Sequence, residues 1–183
     1  MPHDAEPAGL TLDIASHALF EAMVRDPVSA LAGLANVPPD SVKHLQEISE
    51  QSLHFYQASN ARPPWLGYLA IDTASRLVVG SCGFKGNPND NGEVEIAYGT
   101  FPPHERRGVA SFMAEQLCRI ASNDQGVKKI LAHTLPETNA SGRVLLKNGF
   151  EKIGEVVDPD DGPVWRWERP TARPVQTKPR PCF

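Results

Sequence analysis

No apolar run in the sequence approaches the roughly 20 residues needed to cross a bilayer, so a membrane-spanning helix is not expected. Cysteine is scarce. Cys82, Cys118 and Cys182 form an odd set without close spacing, which argues against a disulfide framework or a zinc site. Cys82 and Cys118 lie in apolar stretches and read as small core residues. Neither charge sign dominates: 18 basic residues face 22 acidic ones, a formal net charge of −4, which gives no reason to expect nucleic acid or an anionic membrane as partner. Two phosphate motifs are missing. Without G-x-x-x-x-G-K-[ST] a P-loop nucleotidase is not expected, and without G-x-G-x-x-G neither is a dinucleotide site. Met1 to Pro7 has neither a basic n-region nor an apolar h-region, so no signal peptide is expected and a reducing cytoplasm is the simplest compartment.

What is present suits one domain with one core, expected over residues 9–169, with flexible termini at 1–8 and 170–183. Ile14 to Arg25 carries apolar residues at helical spacing until Asp26-Pro27 stops it. A short helix follows over Val28 to Leu34, and Pro38-Pro39-Asp40-Ser41 starts another that runs to about Gln57. Trp65 to Ile71 and Arg76 to Phe84 read as a hairpin around Asp72-Thr73-Ala74-Ser75. Asn87 to Gly92 is a loop. Val94, Ile96 and Tyr98 then alternate with Glu93, Glu95 and Ala97, the period of a strand with one buried face. After Pro102-Pro103 a helix is expected from Val109 to about Ala121. A strand over Lys128 to His133 and a helix over Asn139 to Lys147, stopped by Asn148-Gly149, follow. Phe150 to Val157 and Val164 to Glu168 complete the order as helices, then β-β-β-α-β-α-β-β. This predicts an α+β fold, a mixed sheet with helices on both faces.

The segment His104-Glu105-Arg106-Arg107-Gly108-Val109-Ala110 connects a strand to a helix start. The first amides of a helix lack internal partners, and the helix dipole adds positive potential there. Gly108 and the small Ala110 let an anion approach the backbone, Arg106 and Arg107 add charge, and Ser111 adds a donor. On its own this turn reads either as an anion site or as a plain connection with solvated arginines.

Downstream residues narrow the choice. Val94-Glu95-Ile96-Ala97-Tyr98, Pro102, Arg106-Arg107-Gly108-Val109-Ala110, Asn139-Ala140-Ser141 and Leu145-Leu146-Lys147-Asn148-Gly149-Phe150, in that order, resemble the GNAT family of N-acetyltransferases. The order resembles most the branch containing the ribosomal-protein N-terminal acetyltransferases, over about Gly80 to Glu168. The resemblance implies a GNAT fold, central mixed and mostly antiparallel sheet, acetyl-CoA as co-substrate, and acetyl transfer to a primary amine by direct attack in a ternary complex. It implies that backbone groups at Tyr98 and Thr100 hold the acetyl and pantetheine portions. The turn with Arg106, Arg107, Gly108, Val109, Ala110 and Ser111 would hold the pyrophosphate, and Asn139 would contact the cofactor arm. Glu95 would accept the amine proton through water, with Glu93 as its competitor, and Ser141 would protonate the thiolate. The family signature [Q/R]-x-x-G-x-[G/A] is broken at its first position by Glu105, and no tyrosine stands in 139–148.

Bland roles compete with several of these. Asn139 is also a good N-cap, and Trp65, Trp165 and Trp167 read first as core or sheet residues, although Trp165 and Trp167 share a face that could line the acceptor cleft. His104 and His133 lack paired ligand spacing, so no metal is expected. The acceptor is expected to be a small-molecule amine or peptide N-terminus, met by the helices before Gln57, the 87–92 loop and the strands near Trp165, in a monomer or homodimer. A non-catalytic coenzyme A-binding module on the same fold is the alternative.

Overall fold

The computed structural model describes residues 9–159 and 161–171. Its frame is a seven-stranded mixed sheet ordered β1-β2-β3-β4-β5-β7-β6. In chain order the elements are β1 (Leu10–Ala15), α1 (His17–Arg25), α2 (Pro27–Ala30), α3 (Val42–Ser59), β2 (Gly67–Asp72), β3 (Val78–Phe84) and β4 (Glu93–Thr100). These are followed by α4 (Val109–Ser122), β5 (Lys129–Thr134), α5 (Ala140–Lys147), β6 (Glu151–Asp158) and β7 (Gly162–Pro170). The expected mixed, mostly antiparallel sheet with helices on both faces is present, the sole parallel pairing among the described strands being β4 with β5.

Two expectations need correction. Ile14 belongs to β1, which pairs antiparallel with β2, so the chain begins the fold on a strand and not on a helix. Leu10, Leu12 and Ile14 alternate at period two, and Ser16 then caps α1 by accepting from the Leu19 N–H. The apolar stripe of α1 runs directly on from that strand and hides the boundary. The chain is also held beyond 169: β7 extends to Pro170, the Thr171 N–H donates to the Lys128 carbonyl at 3.1 Å, and the Thr171 hydroxyl donates to the Val127 carbonyl at 2.6 Å. Residues 1–8 and Cys182 lie outside the described residues.

The two faces bury two cores. On one, Val109, Phe112, Met113, Leu117 and Cys118 of α4 pack on Val94, Ile96, Ile130 and Trp167. On the other, Phe20 and Met23 of α1 and Leu45 and Tyr56 of α3 pack on Leu69, Ile71 and Val78. Each large apolar side chain removed from water contributes about 1.5–3 kcal/mol, so these two layers fix where the sheet's ends lie. α1 and α3 cover only the β2–β3 part of their face. Beyond it, β4, β5 and β7 carry a charged ladder: Lys129 bridges Glu168 at 2.8 Å and Glu93 at 3.6 Å, and Arg166 bridges Glu168 at 2.8 Å and Glu93 at 3.7 Å. No described helix is long and apolar enough to cross a membrane.

β4 pairs with β5 only from Glu93 to Glu95, opposite Lys129 to Leu131. β5 continues to Thr134 along β7, and β4 continues to Thr100 along β3, so the two strands part in the middle of the sheet.

Candidate active site

The parting leaves unpaired backbone. In an antiparallel ladder, the residues bonded to a given neighbour alternate. The Lys85 N–H donates to the Glu95 carbonyl at 2.8 Å and the Phe101 N–H to the Val79 carbonyl at 2.9 Å, so odd-numbered β4 residues bond β3. The C=O group of Ile96 and the N–H and C=O groups of Tyr98 and Thr100 therefore point toward the gap left by β5.

Two cavities meet at this gap, and Tyr98 and Gly99 line both. The first has a volume of about 520 Å³ and lies between the β4 end, the α4 start and α5. Gly108, Val109, Ala110, Ser111, Thr100, Ser141 and Arg106 line it, with Glu105, Arg143 and Lys147 completing its charges. Three cations thus face one carboxylate. Arg106 has φ 61° and Gly108 φ 80°, with Arg107 between them outside the positive-φ region. Alternation of hand along successive residues turns the amides inward into an anion-binding concavity. Gly108 caps α4 without a side-chain hydrogen bond, so no side chain occupies those first amides. A Cβ on Gly108 would meet nothing within 4 Å, so its role is conformational. The Thr100 hydroxyl, at the same cavity, is buried without a hydrogen-bond partner among the described residues. A phosphorylated substrate with an amide-bearing arm fits these features: a basic mouth, an amide concavity, an orphan hydroxyl and an open strand edge.

Arg107 and Asn139 do not line this cavity. Asn139 does what its capping reading says: its Oδ1 accepts the Gly142 N–H at 3.0 Å. Ser141 enters the site partly through its backbone, because the Tyr98 phenol donates to the Ser141 carbonyl at 3.2 Å and joins β4 to α5. Burial pushes the Tyr98 phenol above the usual tyrosine range, with the nearby Cys118 thiol adding to it.

The second cavity, about 570 Å³, lies under α1 and α3 on the other side of the junction. Its lining includes Phe20, Phe55, Tyr56, Phe84, Lys85, Glu95, Asp158 and Asp161. Here one cation faces three carboxylates. Close packing of β2 against β3 shapes its floor: a Cβ on Gly83 would stand 2.8 Å from the Gly67 Cα and 3.1 Å from the Tyr56 hydroxyl. Glu95 accepts from Lys85 Nζ at 2.8 Å and from His133 Nδ1 at 3.0 Å, both on Oε1. Among the described residues, no hydrogen bond or ion pair falls on its Oε2. Burial opposes the Lys85 charge, but its hydrogen bond to Glu95 and the fields of Glu95, Asp158 and Asp161 outweigh it and hold the ammonium above the usual lysine range. Donation by His133 Nδ1 to the carboxylate sets the ring's tautomer and leaves Nε2 buried without a partner among the described residues.

Glu93 shares the Glu95 face but lies outside the cavity, held by Lys129, Arg166 and the Asn89 amide. The 87–92 loop and Trp165 do not line the cavity either. Trp165 pairs across from Thr134 and Trp167 from Ala132, which puts both on the α4 side, with Lys152 over the Trp165 ring at 3.7 Å and the Trp167 indole donating to the Thr134 hydroxyl at 3.0 Å. The β6–β7 turn supplies Asp158 and Asp161 instead. Lys85 and these two aspartates were not singled out from the sequence as site residues, and His133 was weighed only as a metal ligand. Only a strand register could have revealed them, since Glu95 and His133 are 38 residues apart.

Comparison with known proteins agrees with this architecture. Residues 13–151 match the family described as the acetyltransferase (GNAT) domain. An uncharacterized N-acetyltransferase, YoaA of Bacillus subtilis (strain 168), is 28% identical over 139 residues, spanning 76% of this chain and 75% of that protein. Among solved structures, the RimL ribosomal L7/L12 alpha-N-protein acetyltransferase superposes with a TM-score of 0.62 at 15% identity, covering 90% of this chain and 94% of that one. The aminoglycoside acetyltransferase AAC(6')-Ib in complex with coenzyme A superposes with a TM-score of 0.61 at 19% identity, covering 88% and 94%.

Proposed function

Because the chain belongs to the GNAT acetyltransferase family, we propose that it transfers acetyl directly from acetyl-CoA, held in the basic cavity, to a primary amine held in the acidic one. The observation that carries this reading is the junction itself: two cavities of opposite charge balance share Tyr98 and Gly99.

The pyrophosphate is assigned to the backbone amides of Arg106 to Ser111, with Arg106, Arg143 and Lys147 adding charge. The pantetheine arm is assigned to the open edge of β4 at Tyr98 and Thr100. Arg107 and Asn139 stand as weaker contacts, since neither lines the cavity. The acceptor arrives as an ammonium. Glu95 takes its proton, directly or through water, and the neutral nitrogen attacks the acetyl carbonyl. A backbone N–H of the open β4 edge donates to the developing oxyanion. Collapse breaks the C–S bond; the Ser141 hydroxyl passes its proton to the departing thiolate and takes in its place the second proton that the nitrogen sheds as the amide forms. Holding both reactants at one junction supplies much of the rate. Cys82 lines the acceptor cavity, but burial pushes its thiol well up, which disfavours the thiolate a covalent relay would need.

The contact of the Tyr98 phenol with Ser141 favours one second reading: the phenol, anchored 3.2 Å from the Ser141 carbonyl and kept protonated by burial, supplies that proton instead. The motif order from Val94 to Phe150 supports a place near the ribosomal-protein N-terminal acetyltransferase branch. Acceptor choice rests separately on the lining of the acidic cavity.

Release of free thiol from acetyl-CoA across an amine panel tests the reading. Glu95→Gln is expected to lower kcat by about 10²-fold or more with little change in acetyl-CoA affinity. Ser141→Ala and Tyr98→Phe separate the two proton donors. Wild-type rates in both Glu95→Gln and Ser141→Ala would overturn the assigned roles. A protein that acetyl-CoA stabilises but that acetylates no amine would instead be a coenzyme A-binding module.

A further inference from the structure

The acidic cavity is built to select among amines, and we infer that its acceptor is a small amine with an aromatic or branched aliphatic body, a phenylalkylamine being the simplest form. The inference rests on the reading above only in taking this cavity as the acceptor site.

Its wall under the helices is aromatic: Phe20 from α1 and Phe55 and Tyr56 from α3. Phe55 keeps 36% of its surface exposed on an otherwise solvated stretch of α3. A ring left open on a cavity wall is a surface that an apolar ligand covers. Aromatic faces attract an alkylammonium within about 6 Å of their centroids.

The carboxylates suit one ammonium better than several. Glu95 already serves Lys85 and His133 through Oε1, and Asp158 Oδ1 accepts the Asp161 N–H at 3.0 Å. A polyamine needs a file of carboxylates along its length. A polyhydroxylated aminoglycoside needs a polar partner for each of its many hydroxyls; Gln51, Ser52 and Ser81 supply a few, and a hydroxyl left unpaired against these rings would cost what any buried unsatisfied polar group costs. The volume of about 570 Å³ falls in the range of small-molecule sites.

Titration calorimetry on the coenzyme A-saturated protein tests this without requiring turnover. 2-Phenylethylamine is expected to bind at least tenfold more tightly than 1,4-diaminobutane or kanamycin. Phe55→Ala, at an exposed position, is expected to weaken 2-phenylethylamine about tenfold and to leave the diamine unchanged, with an unaltered melting temperature as the check on folding. Equal or tighter binding of either hydrophilic amine, no binding of 2-phenylethylamine, an unchanged affinity in Phe55→Ala, or preference for a peptide with an N-terminal phenylalanine would each overturn the inference. Thiol release separates the two levels. Binding of 2-phenylethylamine with no thiol released by any amine would remove the acetyl-transfer reading and leave the inference; faster release with the hydrophilic amines would do the reverse.

Discussion

The cavity at the start of α4 holds three cations against one carboxylate, and the cavity under α1 and α3 holds one cation against three carboxylates. The same strand, β4, borders both. Successive strand residues point to opposite faces, so Glu95 and Ala97 serve the acidic side while Thr100 serves the basic one, and Tyr98 and Gly99 belong to both. On the reading proposed above, opposite fields on the two sides would sort an anionic donor from a cationic acceptor before either reaches the junction. The basic side is built largely from backbone, with an amide concavity and a helix start. The acidic side is lined by residues from α1, α3, β2, β3, β4 and β6 and from the loops that follow β3 and β6. A backbone site tolerates sequence change, and under the proposed function the side-chain site is where acceptor choice would be written.

Three substitutions probe that division, and the largest effect belongs to the junction. A Cβ on Gly99 would meet nothing within 4 Å, so Gly99→Val fits the strand and projects into the shared space. It is expected to leave the melting temperature near wild type and lower kcat about 10²-fold by displacing the reactants from one another. Normal turnover in this variant would mean that the two cavities do not communicate there. Gly108→Val acts on the donor side alone. Its φ of 80° strains a β-branched residue by roughly 1–2 kcal/mol, and relaxation of the turn is expected to raise the KM for acetyl-CoA about tenfold while amine affinity, measured calorimetrically, stays put.

The smallest effect belongs to neither cavity. The Glu168 carboxyl is held below the usual glutamate range, first by its hydrogen bond from Lys129, then by that from Arg166. A depressed folded pKa contributes stability that is present above the unfolded value of about 4.3 and is lost as pH falls through the folded one. Glu168→Gln is therefore expected to lower the melting temperature slightly at neutral pH and to flatten its decline below about pH 4.5. Catalysis at neutral pH is expected to stay unchanged.

Local patterns explain which parts of this arrangement were legible in the sequence. The period of two from Glu93 to Tyr98, the Pro102-Pro103 break, Gly108 and the stripe of α4 each declare themselves within a few residues, so the elements around the basic cavity were readable before any fold was known. β1 was not, because its alternation runs without a break into the apolar stripe of α1. The acidic cavity was readable only as one carboxylate, Glu95. Its other members meet through strand register and helix packing between distant segments, and Trp165 and Trp167, read first as core or sheet residues, take that role on the opposite face: a shift of one residue in a strand reverses a side chain's destination. Asn139 shows the converse, a residue whose local capping role is present while its cofactor role stands as a proposal.

The parting of β4 from β5 has a thermodynamic side. A sheet with an unfilled seam at its centre forgoes hydrogen bonds that a continuous ladder would make. A ligand arm laid along β4 at Tyr98 and Thr100 would act as a missing strand, and its binding would be part of the folding equilibrium. By linkage, a ligand at a hundredfold its Kd adds about 2.7 kcal/mol to stability. The resistance of this chain to unfolding and proteolysis would then rise and fall with the donor supply, so that the amount of intact enzyme itself reports how much acyl donor is at hand.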